Sequence, residues 1–375
     1  MRIPKQDALN WFRFFAELPE DEPLSPRQEE LKFAVLRQLE DAAAARRQPM
    51  MDRLCSPKTI GGGRTMYVGP DEKFPAGCRS CLCGTGLSAV RRTNRCDANC
   101  PFCYDYGQLD RQPPIGDGLW EIGGGRCYAE DLPLLLSVSN KPTGVAYVYL
   151  EPMMEIEEYY PVIRAFREGG VHQHMYTNGI RCTEDILRAL GESGLDEIRF
   201  NLGATNASDH VISMIAAAKR YIPQVGIETP MTPEFEAAFH RKKAAILATG
   251  LDFINCAELH LTDNNIVNYL GESLYACRAG YISPVWSREI TLRLMAEAEA
   301  EDWPVVVHDC SNMTKFARDL NLCAKEGGWF GRTTYGMEFE TFPYAAFLPA
   351  LEDDDLPFVK EKPLPPGYRA GDIVF

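Results

Sequence analysis

The sequence around Cys96 reads Arg95-Cys96-Asp97-Ala98-Asn99-Cys100-Pro101-Phe102-Cys103-Tyr104. Its three cysteines are spaced by four and then three positions, and an aromatic residue follows the last one directly. Three thiolates this close can hold one face of an iron–sulfur cube, which leaves the fourth iron without a protein ligand. A small molecule can chelate that iron and receive an electron from it. The stretch therefore predicts a cluster-binding loop with one open coordination position.

Downstream of this loop, short strand-like runs alternate with helical segments. The predicted strands lie at 86–93, 144–152, 172–179, 197–202, 224–230 and 253–261, with a further one at 304–308. The predicted helices between them lie at 155–168, 183–193, 207–220 and 233–249. Strands that alternate with helices indicate a parallel sheet with helical crossovers. The alternation predicts an α/β fold whose sheet curls into a full or partial barrel. Of these two, we predict a partial (β/α)6-type TIM barrel with an N-terminal helical extension and a C-terminal extension.

The chain divides into four parts on this interpretation. Residues 1–50 form a helical extension with helices predicted at 5–17 and 26–47, and residues 51–85 form a lead-in segment that contains cysteines. The barrel covers residues 86–309, and residues 310–375 form the C-terminal extension.

Composition narrows the classes of function. The 375 residues carry a net charge of −14, which disfavours a nucleic-acid partner because such proteins usually present a basic surface. No run of about 18 apolar residues exists, so no membrane span is expected. The first residues lack the apolar core of a signal peptide, and the thirteen cysteines cluster as metal ligands do in intracellular proteins. We therefore expect a cytoplasmic protein.

The cysteine loop resembles the signature of the radical S-adenosylmethionine (SAM) superfamily. Further matches follow in the family's order, at Glu151-Pro152, Thr177-Asn178-Gly179, Asn201 and Val225-Gly226-Ile227-Glu228. The resemblance implies that Cys96, Cys100 and Cys103 hold a [4Fe-4S] cluster and that SAM binds the open iron through its amino and carboxylate groups. It also implies that Phe102, Tyr149, Glu151, Asn178, Asn201 and Glu228 belong to the cofactor-binding site. The chain departs from the family at Tyr149-Leu150, where two glycines usually precede the Glu-Pro pair.

A closer match combines Gly77-Cys78 and Cys81 with Ile227-Glu228-Thr229-Pro230, residues 255–261 and Val307-His308-Asp309-Cys310-Ser311. This combination is similar to a subgroup described as related to pyruvate formate-lyase activating enzyme. The resemblance implies reductive cleavage of SAM, with an electron donor such as flavodoxin or ferredoxin and a small-molecule substrate. One alternative is an activase that generates a glycyl radical on a partner protein. Another is a zinc-stabilised binding protein that uses the same cysteines.

Strand alternation gives an argument that does not depend on the family. It predicts that four sets of side chains line the barrel interior: Tyr147, Tyr149 and Glu151; His172, His174 and Tyr176; Glu197, Arg199 and Asn201; Cys256, Glu258 and His260. We predict Glu258 and His260 as catalytic residues on this basis. The alternative is that both simply pair with Arg199.

A second group of cysteines precedes the barrel. Cys78, Cys81 and Cys83 lie close together, and Cys310 follows the last predicted strand. Since the first and last strands of a barrel bound the same opening, these residues can form a second metal site for zinc or another iron–sulfur cluster, with His308 as a further candidate ligand. The alternative is a set of unligated thiols.

Overall fold

The computed structural model describes residue 41, residues 43–61, 65–83, 87–109, 114–122, 125–132, 144–262, 264–269, 272–276 and 282–312, and residue 314. The predicted helix at 5–17, most of the predicted helix at 26–47 and nearly all of the C-terminal extension lie outside these residues. Residues 43–51 are helical. No helix in the described ranges is both long enough and apolar enough to cross a membrane.

The strands predicted at 86–93, 144–152, 172–179, 197–202, 224–230, 253–261 and 304–308 are present in that order, with the four predicted helices between them. Strands that the sequence did not predict lie within 58–68, 119–128 and 274–284. The strands are β1 (Lys58–Ile60), β2 (Thr65–Val68), β3 (Leu87–Arg91), β4 (Leu119–Ile122), β5 (Gly125–Tyr128), β6 (Gly144–Tyr147), β7 (His172–Thr177), β8 (Glu197–Phe200), β9 (Gln224–Pro230), β10 (Phe253–Ala257), β11 (Leu274–Ala276), β12 (Ile282–Pro284) and β13 (Val306–Cys310). The helices are α1 (Ala76–Cys83), α2 (Ile156–Glu168), α3 (Glu184–Ser193), α4 (Asp209–Ala218), α5 (Pro233–Ala248) and α6 (Val285–Ala300).

One large sheet carries the fold, in the order β1-β2-β13-β10-β9-β8-β7-β6-β3-β4-β5. The run from β3 through β6, β7, β8, β9 and β10 to β13 is parallel throughout. Antiparallel strands flank it on both sides, β2 beside β13 and β4 beside β3. The predicted partial barrel is confirmed, and the strand expected at 304–308 is present as β13.

Helices α3, α4 and α5 begin where the sequence supplies a hydroxyl side chain. Thr183, Ser208 and Thr232 each accept a hydrogen bond from a backbone N–H in the first turn of the helix that follows. Such N-caps satisfy donors that the helix itself cannot pair. Apolar side chains of the strands and crossover helices then form one core on the outer face of the sheet, where Ile198, Phe200 and Ile227 are fully buried.

Helix α1 packs against the opposite, inner face of the sheet. Gly77 lies so close to this face that an added Cβ would fall 2.5 Å from Nη2 of Arg199 and 2.7 Å from Nδ1 of His174. The Gly77 N–H donates to Glu197 Oε2 at 2.9 Å. The inner apolar cluster consists of Tyr67, Phe74, Cys78, Leu82, Phe253 and Val306. The lead-in segment therefore fills the inside of the curved sheet near the amino ends of β8 and β9.

Strand register tests which side chains face the interior. The predicted inward sets on β7 and β8 are correct, since His174 pairs with Glu197 and Tyr176 with Arg199 along the face that α1 contacts. The prediction for β6 is wrong: Ala146 is the neighbour of His174, so Tyr147 points outward. There its hydroxyl donates to Gln173 Oε1 at 2.6 Å, and its ring contacts Tyr159 of α2.

The prediction for β10 is wrong in the same way. Asn255 lies between Glu228 and His308 in the register and belongs to the inner face. Cys256 therefore faces outward, where it lies beside Thr291 of α6. The strand ends at Ala257, so strict alternation cannot be extended to Glu258 and His260.

Candidate functional site

The three cysteines of the 96–103 loop lie together at the carboxyl end of β3. Burial raises the pKa of the Cys96 thiol to about 11, and it raises that of Cys100 to about 12. The charges of Cys103 and Cys96 raise the pKa of Cys100 further, because the three sulfurs are neighbours. A bound cation reverses this preference and stabilises the thiolates.

Two of these sulfurs also accept a backbone hydrogen bond. The N–H of Ala98 donates to Cys96 Sγ at 3.4 Å, and the N–H of Asp105 donates to Cys103, where it lowers the pKa of the thiol against the effect of burial. Partly buried, neighbouring thiols with backbone N–H donors match the donor set of an iron–sulfur cluster. Within the described ranges, no three His, Cys, Asp or Glu side chains are close enough to share one metal ion. A cube spreads its ligands over separate irons, so it does not need such a tight group.

Glu151 fastens the cluster loop to the ends of β6 and β7. Its carboxylate accepts hydrogen bonds from the N–H of Met153 at 3.0 Å, the hydroxyl of Thr177 at 2.8 Å and the N–H of Asn178 at 2.7 Å. Its own N–H donates to Arg95 O at 3.1 Å, one residue before Cys96. The side chain is 1% exposed, and burial raises its pKa to about 7 despite the donors.

The backbone before Glu151 adopts the conformation that glycines favour. Tyr149 has φ 68° and Leu150 has φ 52°, both in the left-handed region. Side chains other than glycine rarely occupy this region, and they do so at a cost in free energy. The two residues therefore keep a glycine-like path although they replace the family's glycines. The Tyr149 ring, 36% exposed, lies 5.1 Å from the Arg91 guanidinium.

Asn178 links the end of β7 to the cluster loop. Its amide donates to Asp97 Oδ1 at 2.9 Å and lies 3.8 Å from Cys96 Sγ. Arg181 holds the other oxygen of Asp97 at 2.8 Å. The structure thus brings Asn178 and Glu151 to the cysteine loop, and Phe102 is buried within that loop.

The chain is similar to a protein of Methanocaldococcus jannaschii that is named as a candidate glycyl-radical enzyme activating enzyme. The two are 26% identical over 203 residues, and the match covers 52% of each chain. The chain thus spans about half the length of that curated relative. The resemblance found in the sequence is confirmed. No family model matches the chain. The crystal structure of Streptococcus suis SuiB bound to SAM aligns over 58% of this chain and 48% of that chain, with 12% identity and a TM-score of 0.43.

A network of charged side chains lies on the inner face of the sheet, centred on Arg199. Arg199 is buried and pairs with Glu197, with Glu228 at 2.5 Å and with the hydroxyl of Tyr176 at 3.1 Å. Glu228 keeps 16% of its side chain exposed. Asn201 lies beyond β8, where its side-chain oxygen accepts from Thr229 at 2.7 Å and from the N–H of Ala204 at 3.2 Å. Asn201 therefore shapes the turn after β8.

The structure separates the two predicted catalytic residues. Glu258 is buried, accepts a hydrogen bond from the Tyr275 hydroxyl and accepts another from the Asn312 N–H at 2.7 Å. The carboxylates that pair with Arg199 on the inner face are those of Glu197 and Glu228. His260 instead lies beside the cluster loop, with its ring 5.4 Å from that of Tyr104. Only His260 is therefore next to the cysteine site.

The second cysteine group is partly assembled. Cys78 is buried on the inner side of α1, and burial is the main cause that raises the pKa of its thiol. The charges of Glu228 and Glu197, and after them that of Cys310, raise it further. His308 uses both ring nitrogens, Nδ1 with Asn255 at 2.5 Å and Nε2 with Thr65 at 3.2 Å. Cys81 is half-buried, and the side chain of Cys83 lies outside the described part. The second metal site stays a prediction.

The sequence analysis did not predict the residues after β10 that form hydrogen bonds with the cluster loop. After β10, the amides of Asn264, Asn265 and Asn268 donate to the carbonyls of the 101–104 segment. The available signal was the concentration of asparagines directly after a strand, in Asn264-Asn265-Ile266-Val267-Asn268. Asparagine amides suit exposed backbone carbonyls, but one sequence does not show which carbonyls they meet.

Proposed function

We propose that this protein is a radical SAM enzyme. The observation that carries the proposal is the loop after β3, where three neighbouring cysteines are partly buried and backbone N–H groups donate to Cys96 and Cys103. When bound, a [4Fe-4S] cluster and SAM supply reductive cleavage of a carbon–sulfur bond and a radical that takes a hydrogen atom from the substrate. An electron donor such as flavodoxin or ferredoxin is part of the proposal.

The chain's own residues bind and orient in this proposal. Cys96, Cys100 and Cys103 hold the cluster, while Glu151 keeps the loop in place through Thr177, Asn178 and Arg95 O. The turned backbone at Tyr149-Leu150 offers its polar groups to the amino end of SAM. We assign Phe102 to the surroundings of SAM because it is buried within the cysteine loop. We assign Asn178, Asn201 and Glu228 there because they lie at or near the carboxyl ends of β7, β8 and β9.

Two substrate classes fit this chemistry, and each has its own support. The buried Arg199 pair with Glu228 on the inner face favours a small polar molecule that enters the sheet. The name of the Methanocaldococcus jannaschii relative favours an activase that acts on a glycyl-radical protein. On either reading, we propose that His260 lies on the substrate side and that Glu258 supports the loops around it.

Metal analysis of anaerobically purified protein tests the proposal. We expect iron with labile sulfide, and we expect SAM cleavage when dithionite is the reductant. Replacement of Cys96, Cys100 and Cys103 by Ala should remove both the absorption of the cluster and the cleavage. Zinc without iron in the unmodified protein would support a binding module and overturn the proposal.

A second assay separates the substrate classes. An anaerobic lysate of the source organism is divided by size into a small-molecule fraction and a protein fraction, and each is added to the SAM cleavage assay. A small-molecule enzyme should respond to the first fraction. An activase should respond to the second and leave a glycyl-radical signal in electron paramagnetic resonance.

A further inference from the structure

The loop after β10 holds the cluster loop through three asparagines, named here the asparagine clamp: Asn264, Asn265 and Asn268. Their amides donate to Tyr104 O at 2.7 Å, to Phe102 O at 3.1 Å and to Pro101 O at 2.8 Å. An acceptor carbonyl fixes the orientation of each amide, because only the amide nitrogen can donate to it.

Asn265 is the anchor of the clamp. It is fully buried, and its amide also donates to His260 O at 3.1 Å, while its side-chain oxygen accepts from the Thr262 N–H at 2.7 Å. All polar groups of this side chain are thus engaged. Asn265 therefore builds the loop that presents Asn264, whose side chain is only half-buried.

The bond from Asn264 acts on a peptide group that also contacts a cysteine ligand. The carbonyl of the Tyr104–Asp105 peptide accepts from Asn264, and from the Thr262 hydroxyl at 3.4 Å. The N–H of the same peptide donates to Cys103 Sγ. A trans peptide is planar, so its carbonyl and N–H point in opposite directions. Holding the carbonyl therefore also aims the N–H at the sulfur.

We propose that Asn264 is a positioning residue that raises the reduction potential of the cluster by aiming the Asp105 N–H at Cys103. The inference rests on the proposed function, since it requires a cluster on Cys103. Reduction adds negative charge to the cluster, and N–H donors at its sulfurs stabilise that charge. Asn264 also polarises the peptide by donating to its carbonyl, which strengthens the N–H as a donor.

Asn268 provides the matched control. It donates the same kind of bond from the same loop, but to the Pro101 carbonyl, whose peptide carries the Phe102 N–H. The backbone N–H groups that donate to sulfurs of the loop are those of Ala98 and Asp105, so the Phe102 N–H of the Pro101 peptide is not among them. Loss of the Asn268 side chain therefore removes one hydrogen bond between the two loops but leaves the N–H donors to the sulfurs in place.

The test is the midpoint potential of the cluster in Asn264→Ala and Asn268→Ala, from redox titrations followed by electron paramagnetic resonance. We expect Asn264→Ala to shift the potential to more negative values and to lower the fraction reduced at a fixed dithionite concentration. Asn268→Ala should keep the potential of the unmodified protein. Equal potentials in all three proteins, or equal shifts in both variants, would overturn the inference.

A milder variant keeps the test decisive if Asn264→Ala loses its cluster. Thr262→Val removes only the weaker donor to the same carbonyl and preserves the shape of the side chain, so we expect a smaller shift in the same direction. If Thr262→Val has an unchanged potential and both asparagine variants lose the cluster, the asparagine clamp has only a structural role and the inference is overturned. If the unmodified protein binds no iron and sulfide, the proposed function fails instead.

Discussion

At the scale of single residues, the left-handed backbone at Tyr149 and Leu150 is an unusual feature of the site. Two neighbouring residues with side chains keep a conformation that costs roughly 1–3 kcal/mol each. Such strain persists only where the surroundings hold it, and here Glu151 supplies the restraint through its bonds to Met153 and to the end of β7. The strained pair therefore depends on its buried neighbour.

Leu150→Gly should relieve this strain. We expect the free energy of unfolding to rise by about 1 kcal/mol, since glycine reaches φ 52° without a steric penalty and loses part of the gain through its greater freedom when unfolded. Tyr149→Gly should gain less, because it also loses the contact of the tyrosine ring with Arg91. Chemical denaturation measures both, and a lower stability of Leu150→Gly would contradict the strain argument.

Glu151 should make stability depend on pH. Burial raises its pKa from 4.5 to about 7 in the folded protein, so between these values the folded chain binds more protons than the unfolded chain. Stability attributable to this group therefore falls as the pH rises from about 4.5 to 7, by up to about 3 kcal/mol.

Glu151→Gln should flatten this part of the curve of stability against pH, because the amide does not titrate. Glu158→Gln, at an exposed position of α2, serves as the control and should leave the slope unchanged. The curve comes from denaturant unfolding at a series of pH values. A slope that survives in Glu151→Gln would assign the pH dependence to other groups.

At the scale of elements, helix α1 packs so close to the inner face of the sheet that position 77 has no room for a side chain. Alanine normally stabilises a helix relative to glycine by about 1 kcal/mol. At position 77 we expect alanine to destabilise the protein instead, since an added Cβ would meet Arg199 and His174. The reversal follows from the packing of α1 against the inner face.

We expect Gly77→Ala to lower the free energy of unfolding by about 1–3 kcal/mol, the usual cost of overpacking. Ser80→Ala, at a half-buried position of the same helix, should be close to neutral. Thermal or chemical unfolding of the two variants gives the comparison. A Gly77→Ala protein as stable as the parent would show that α1 does not pack in this way.

The elements also show how far sequence alone reaches. The parallel sheet and the cysteine loop could be predicted, because strand–helix alternation and ligand spacing are local patterns. The inward face could not be read from polarity on β6 and β10, where Tyr147 and Cys256 are buried on the outer side. Strands covered on both faces lose the alternation of apolar and polar residues, so only the register with neighbouring strands identifies the interior.

At the scale of the whole molecule, the lead-in segment belongs to the barrel. Strand β2 pairs with β13, and Glu299 of α6 accepts from the N–H groups of Cys55 and Ser56 at 2.7 Å each. Phe74 and Leu82 of this segment cover Phe253 on the inner face. The parallel strands alone therefore lack part of their core.

Removal of residues 1–85 should prevent cooperative folding. The truncation exposes Phe253 and Val306 and leaves the buried Arg199 without the helix that covers it. We expect the truncated protein to bind a hydrophobic dye and to lose its sharp unfolding transition in calorimetry. The full chain should not bind the dye and should keep the sharp transition. A truncated protein with a sharp transition would show that the sheet does not need its lead-in segment.

The position of α1 also has a kinetic consequence. Because this helix covers the inner face near the amino ends of the strands, a substrate at Arg199, as proposed above, would have to arrive from the carboxyl ends, past the cysteine loop. The substrate would then enter and leave by the same route, and a ligand bound at the cysteines would block it. We expect compulsory-order kinetics, in which the deeper ligand binds first and the ligand at the cysteines leaves first.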